Sequence, residues 1–465
     1  MNTSIEISLM LLITAALITL MLEAIGNPLR SSNYEKPHIK LLALGALLSA
    51  IFIILIDLST QTLLSRRPHL FFDNISSIFL LLNSVISIHV GHKTLAKKSH
   101  NDIFFLLLSS VVIGIFIIWT DFLLIKMLGS TAWLLTMAAL SAKTTDGGKR
   151  AEIALKLSYS AILVFLLFLF CFYFFSCNFS TLTITTITNN FALITPPTSV
   201  LIATIFLALA GLGLSGIPPF AFAHIDCADG SNLSTGFLVI SNSMILGATH
   251  LLDVKNMVLT WKIPETSLST LGYVLAAGLL IAWLRALDQS KIKRCVSYIA
   301  ASISPLFCLS LLFGTSALIP ELIFLIAIFT FATLGIFALF GSLAYLEPLD
   351  LPWQTWEDMT GLGRKNKIQA LYLLIALASV AGLPGTLGYF VKLSLIAPMK
   401  ENSWFNSMIF ISIAVGAACT MRFFVFLFSK QSPSLELQNS NPSPPYSLLA
   451  AAIVLIILGF FPFVS

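Results

Sequence analysis

Lys392 stands in the stretch Ser379-Val-Ala-Gly-Leu-Pro-Gly-Thr-Leu-Gly-Tyr-Phe-Val-Lys-Leu-Ser-Leu395, eight residues past Pro384 in an otherwise apolar run. An ammonium at that depth of a hydrocarbon layer is costly unless it faces a cavity or a partner. A lysine can shed its proton when desolvated, so one held there is suited to carrying protons. Snorkelling would account for it only if the helix boundary lay several residues away. Lys156 lies two turns into another apolar run, with Glu152 four residues earlier on the same face. An i, i+4 ion pair would hold the two together, and snorkelling to the inside surface is an equal rival. Lys126, in DFLLIKMLGSTAW, comes five residues after an outer boundary, where snorkelling is the preferred reading. Arg422, in AACTMRFFVF, and Arg285, in AWLRALDQS, read as buried or nearly so. Arginine keeps its proton and suits fixing a local field or pairing with an acid. Glu23 and Glu321 lie near the ends of apolar runs and read as interfacial, whereas His89 and His250 read as interhelical hydrogen bonders that could also titrate near neutrality.

The elements that must position these charges are membrane helices. The chain is 57% hydrophobic and 10% charged, with a mean hydropathy of +0.94, which excludes an ordinary soluble domain of 465 residues. An all-α polytopic membrane protein is expected, with about 14 transmembrane helices by the ~19-residue hydropathy window. They start near Glu6, Lys40, Leu70, Asp102, Asp121, Arg150, Pro196, Asn232, Ser267, Lys291, Ala317, Lys367, Phe405 and Tyr446. MNTSIEIS lacks the basic segment of a signal peptide, so the first run is expected to be a retained helix. With the N-terminus outside, Lys and Arg concentrate in the inside loops, and the net charge of +5 reads as topology with no nucleic-acid partner. Six scattered cysteines include no C-x-x-C pair, and no nucleophile with its base, phosphate-cradling loop or nucleotide fingerprint occurs. Neither a metal site nor redox or bond-breaking chemistry is expected of this chain alone.

Two of the apolar runs are interrupted. Ala208-Leu-Ala-Gly-Leu-Gly-Leu-Ser-Gly-Ile-Pro-Pro-Phe220 carries Gly213, Gly216, Pro218 and Pro219; the stretch before Lys392 carries Gly382, Pro384, Gly385 and Gly388. Each falls on the fourth helix of a five-helix group. An odd number of helices per group makes the two repeats inverted, the plan in which discontinuous helices frame a midplane ion site. A broken backbone in lipid is tolerated only where protein or water satisfies it. A lone kink carries little meaning, but two at matching positions do. The organisation expected is an N-terminal three-helix segment (1–101), a first five-helix repeat (102–250), a connecting loop (251–266), a second five-helix repeat (267–430) and a C-terminal loop and helix (431–465).

These features resemble the antiporter-like membrane subunits of the respiratory NADH:quinone oxidoreductase, complex I, a family shared with multisubunit sodium/proton antiporters and membrane-bound hydrogenases. The N-subunit type, subunit 2 in mitochondria, is the nearest. The most specific part is Trp356-Glu-Asp-Met-Thr-Gly-Leu-Gly-Arg-Lys365, an acidic pair, Gly-Leu and basic pair leading into the broken helix that ends on Lys392. Asp288-Gln-Ser-Lys-Ile-Lys-Arg-Cys-Val-Ser-Tyr298 and Ala151-Glu-Ile-Ala-Leu-Lys156 are similar to further family segments, as are Pro219-Phe220, Asp226 and Gly230 by spacing.

The resemblance implies a proton-translocating membrane-arm subunit that couples quinone reduction to proton transfer. It would be a translocase only as part of its complex, with Lys392 titrating and Lys156, Lys126, Glu152 and Arg422 as further candidates. It also implies other membrane-arm subunits as partners, and NADH, flavin, iron-sulfur clusters and quinone held by partner subunits rather than by this chain. A bacterial plasma membrane is the expected location, an energy-transducing organelle membrane the alternative. The departures are informative. Where the family has a glutamate on its fifth helix this chain reads Leu128-Gly-Ser-Thr131; two family lysines fall at Leu214 and Met244, and a histidine at Ile303. Whether His224, Asp226 or Asp229 replaces them from a shifted register stays open, beside the preferred reading of a polar inside loop. A non-pumping scaffold of the same complex, and a subunit of an antiporter or hydrogenase assembly, remain alternatives.

Overall fold

The computed structural model describes residues 3–25, 37–64, 68–90, 102–145, 149–190, 196–261, 263, 265–313, 321–346, 355–396, 403–429 and 446–460. Among the described residues the regular structure is helical, apart from one isolated bridge between Phe122 and Thr183. In hydrocarbon every backbone N–H and C=O must be satisfied internally, and a helix does this within one segment. The helices are α1 (Thr3–Ile25), α2 (Pro37–Leu64), α3 (Pro68–Val90), α4 (Asp102–Trp119), α5 (Leu123–Thr144), α6 (Lys149–Ser176), α7 (Ile184–Asn190), α8 (Thr198–Leu214), α9 (Phe222–Gly230) and α10 (Leu233–Thr260). After them come α11 (Glu265–Leu287), α12 (Ile292–Ala301), α13 (Ile303–Phe313) and α14 (Glu321–Leu346). A 3-10 turn (Trp356–Met359) leads to α15 (Leu362–Lys365), α16 (Lys367–Ala381), α17 (Leu387–Ile396), α18 (Ser403–Phe428) and α19 (Tyr446–Phe460).

Eight helical spans among the described residues are long and apolar enough to cross a bilayer, and shorter apolar helices accompany them. The all-α polytopic class expected from composition is therefore the class observed.

The chain divides into two compact units, Met1–Gly216 with Gly230–Leu268, and Ile217–Asp229 with Ser269–Ser465. Ile217–Asp229, the segment after the first interruption, thus belongs to the second unit.

The first unit is organised around α10, which packs against α3, α4, α5, α7 and α8. Its most apolar window is 89% buried, so it is a core helix on all sides. Buried polar side chains along it must then find partners in protein. Thr235 Oγ1 donates to Thr144 Oγ1 at 3.0 Å, and Asn83 Nδ2 donates to Asn242 Oδ1 at 2.9 Å.

Both interrupted helices are broken where the glycines and prolines stand. α8 stops at Leu214, Gly216 takes φ 62°, the Pro218–Pro219 peptide is cis, and α9 begins at Phe222. α16 stops at Ala381, Gly382 and Gly385 take φ 79° and 83°, and α17 begins at Leu387. A third interruption lies at Ser302, between α12 and α13, inside what the hydropathy pattern presents as one helix. Pro305 supplies the reason, since it has no N–H for the carbonyl four residues earlier.

α17 docks on α14 and α16 through Gly388. A Cβ there would run into the Ser379 carbonyl and stand 2.7 Å from Phe331 Cε2. Gly388→Val is therefore expected to cost about 1–3 kcal/mol by overpacking and to lower the melting temperature of the purified protein. Gly45→Ala, where a Cβ meets nothing within 4 Å, is expected to leave it unchanged or raised. Equal melting temperatures for the two variants would refute the close-approach account.

Candidate functional site: two buried lysines

Lys392 is completely buried on α17. Its Nζ donates to the Ala381 carbonyl at 2.7 Å and to Ser412 Oγ at 3.4 Å, and lies 5.7 Å from the centre of the Trp283 ring. The sequence explains the arrangement. α16 ends one residue before Gly382, so the Ala381 carbonyl is one of the terminal acceptors that no helical N–H satisfies. Gly382 then turns the chain through a left-handed conformation, and a Cβ at that position would stand 2.7 Å from Lys392 Cδ. The hydroxyl hydrogen of Ser412 goes to the Ile409 carbonyl at 2.7 Å, leaving its oxygen to accept from the amine. Among the described residues no carboxylate lies within ion-pair distance of Lys392. The positive charge is met only by a carbonyl, a hydroxyl and an indole face. The amine can make the same two hydrogen bonds charged or neutral, which is what a reversible proton carrier requires.

Lys126 is the second buried lysine. Its side chain is 5% exposed and forms an ion pair with Asp253 of α10, whose side chain is 16% exposed. The snorkelling expected of it does not occur, because α10 offers a carboxylate 127 residues further along the chain. Asp73, half-buried on α3, lies close enough that the charges of Lys126, Asp253 and Asp121 all act on it. One turn inward, Ser130 Oγ donates to the Lys126 carbonyl at 2.7 Å and lies 3.1 Å from His250 Nε2. His250 is fully buried, with the Phe168 ring edge-on at 4.9 Å.

Comparison with known proteins gives this arrangement its context. The family model described as NADH:quinone oxidoreductase/Mrp antiporter, transmembrane, matches residues 120–419. The chain belongs to this family. NADH-quinone oxidoreductase subunit N of Protochlamydia amoebophila (strain UWE25) is 25% identical over 475 aligned residues, covering 98% of this chain and 94% of that one. In fold, the chain is similar to one in respiratory complex I from Thermus thermophilus with bound aureothin, with a TM-score of 0.76, 20% identity and 98% coverage of both chains. It is also similar to one in the Mrp complex from Dietzia sp. DQ12-45-1b, with a TM-score of 0.75, 14% identity and coverage of 98% and 95%. The fold of this chain is thus shared with chains of these two complexes.

The positions where the resemblance places the family's other buried charges are filled differently here. Leu214 and Met244 are fully buried apolar side chains, and the Thr131 hydroxyl bonds back to its own helix at Met127 and Leu128. Ile303 is buried where the family histidine would stand.

The remaining candidates separate from the two lysines. Lys156 and Glu152 form the expected i, i+4 pair at 2.7 Å, but at 37% and 60% exposure the pair sits on the surface of its unit. Arg422 is half-buried and stacks 4.1 Å above Trp356, with its guanidinium donating to the Leu287 carbonyl. Trp356 Nε1 in turn donates to the Gln289 carbonyl at 2.9 Å, so Arg422 ties the family's signature loop to the end of α11. Arg285 is exposed rather than buried and faces Asp288 at 3.8 Å. His89 is exposed as well, and the side chains of Glu23 and Glu321 lie outside those described. Asp226 pairs with Arg294 at 2.9 Å, while His224 is buried and Asp229 half-buried on α9. His224, Asp226 and Asp229 belong to the second unit, whereas Leu214 and Met244 belong to the first.

Asp253 and Asp73 are functional candidates that the sequence reading missed. The signal was present as two carboxylates near helix ends on the same side as Lys126. Breaking one half of a buried pair strands the other charge, at a cost of about 3–5 kcal/mol. Lys126→Met and Asp253→Leu are each expected to lower stability by about that much, and the double variant to recover most of it, in reversible denaturation in mixed micelles. Additive losses in the double variant would show that the pair contributes nothing as a pair.

Proposed function

We propose that this chain is the antiporter-like N subunit in the membrane arm of a proton-translocating NADH:quinone oxidoreductase, with Lys392 as its main titrating group. The relative named as that subunit aligns over nearly the whole chain. The observation that carries the role of Lys392 is its amine, fully buried against the Ala381 carbonyl of the broken helix with no carboxylate at ion-pair distance among the described residues. A proton entering here charges the amine in place; its departure leaves both hydrogen bonds formed. An acid partner at contact distance would hold the proton more firmly.

Oxidation of NADH and reduction of quinone, with flavin and iron-sulfur clusters, are assigned to partner subunits in this reading. Those events would drive Lys392 through electrostatic coupling along the membrane arm. Other membrane-arm subunits are the protein partners. Outward apolar side chains such as Leu155, Ile162, Leu166 and Leu169 of α6 suit lipid or a neighbouring subunit. The Lys156–Glu152 pair is a surface charge pair, placed to sense a neighbour rather than to conduct. Arg422 supports the site by fixing the loop and helix ends. The Protochlamydia relative points to a bacterial plasma membrane.

The apolar side chains at Leu214 and Met244 favour a second reading, a scaffold that keeps fold and interfaces but does not pump. Two measurements separate the readings. A C-terminally tagged chain extracted in mild detergent is expected to co-purify with membrane-arm subunits and an NADH-oxidising peripheral arm; recovery of small antiporter subunits alone would remove the complex I assignment. In proteoliposomes of the assembled complex, Lys392→Ala is expected to slow proton flux through this subunit by about 10²-fold, the scale of a lost general acid–base group. Lys392→Arg, which keeps the charge but does not release its proton, is expected to fail equally. Unchanged protons per NADH in Lys392→Ala would establish the scaffold.

A further inference from the structure

We propose that the first unit handles a proton at a displaced site made by Asp73, Lys126 and Asp253, with Ser130 and His250 as its inward connection, in place of the apolar positions Leu214 and Met244. The inference rests on the proton-translocating reading above and assigns that activity a second location.

The first support is charge. Asp253 pairs with the Lys126 ammonium, and both charges act on Asp73 of the neighbouring α3; counted over these three groups, the carboxylates outnumber the ammonium by one when all are ionised. One proton neutralises the excess: a carboxylate of Asp73 or Asp253 takes up H⁺ and becomes a carboxylic acid, while Lys126 stays paired with the other. Release reverses the step and nothing else is consumed.

The second support is the geometry of His250. The Ser130 hydroxyl hydrogen is committed to the Lys126 carbonyl at 2.7 Å, so the 3.1 Å contact is made by His250 Nε2–H donating to Ser130 Oγ. His250 Nδ1 is then a bare acceptor, fully buried and without a hydrogen-bond partner. It is one more buried hydrogen-bond acceptor beside the ion pair.

The third support is a polar stripe. On α10, Asp253, Thr249, Asn242 and Thr235 follow one another at spacings of four, seven and seven residues, which keeps them on one face of a helix. From Thr235 to Asp253 the stripe runs about 27 Å at 1.5 Å per residue, close to the ~30 Å of a hydrocarbon core. Asn83 Oδ1 and Asn242 Nδ2 remain buried with unused hydrogen-bonding capacity midway along it.

On α10 itself Lys255 stands two residues past Asp253. Of the helices packed on α10, α3 presents Asp73 and α5 presents Lys126. Lys143 of α5 and Asp102 of α4 stand at the opposite ends of their helices, α7 and α8 carry no charged residue, and Asp121 precedes α5. α6, which meets His250 through Phe168, carries its charges at Lys149, Arg150, Glu152 and Lys156, near its own start.

The test uses the purified complex and two readouts. Infrared difference spectra between acid and alkaline buffer are expected to show a carboxyl band that Asp73→Asn and Asp253→Asn each remove or shift. Asp73→Asn leaves the Lys126–Asp253 pair intact and so guards against loss of fold. Proteoliposomes driven by NADH are expected to lose protons per NADH in both variants and in Lys126→Met. A carboxyl band and a proton stoichiometry identical to the unaltered complex in Asp73→Asn and Asp253→Asn would overturn the site. If the unaltered complex shows no NADH-driven turnover, the subunit assignment fails while the infrared result still decides whether the cluster exchanges a proton.

Discussion

The obligation to satisfy every backbone group without water governs this protein, and the break between α16 and α17 is where it is met with a side chain. A helix that stops inside an apolar layer leaves terminal carbonyls bare. Here one of them, on Ala381, is taken by the amine of Lys392. The lysine completes the backbone, and the backbone holds the lysine. Gly382 makes the turn sharp enough for the two to meet, and Gly388 lets α17 lie against the end of α16. Removing either element of the arrangement would leave a buried donor or a buried acceptor alone.

The first unit solves a related problem with different chemistry. Its broken helix ends at Leu214, in a stretch that carries no lysine, and the Gly211 carbonyl accepts from both the backbone N–H of Ser215 at 2.9 Å and its hydroxyl at 2.6 Å. Charge appears elsewhere, at the ends of α3, α5 and α10, where Lys126 and Asp253 hold one another. The two units thus carry one folding plan but concentrate ionisable groups in different places.

The overall class, the two breaks and Lys392 were legible in the sequence because each is a local pattern. Apolar length reports a span, Gly and Pro report a break, and a lysine past the break reports its own cost. The Glu152–Lys156 pair was legible for the same reason, as an i, i+4 contact. Lys126 was not, because its fate depends on Asp253, and no helix-local rule connects them. Arg285 was misjudged since a single residue of register separates a buried face from an exposed one, and its neighbour Ala286 is buried. The interruption at Ser302 was hidden by the continuous apolar run around Pro305, where hydropathy stays high while the hydrogen-bond ladder fails.

The setting of Lys126 and Asp253 also has an electrical side. Asp253 lies seven residues before the end of α10, about 10 Å along the axis at 1.5 Å per residue. A unit charge crossing the whole membrane works against about 2.3 kcal/mol per 100 mV. With the stripe from Thr235 to Asp253 taking up about 27 Å of a ~30 Å core, the last turns of α10 lie mostly outside it. A charge that travels only between the near surface and the pair crosses about a tenth of the core and so does about 0.2 kcal/mol of work per 100 mV. Occupancy of the pair would be only weakly voltage-sensitive from the near side, and most of the electrical work would fall on the remaining length of α10.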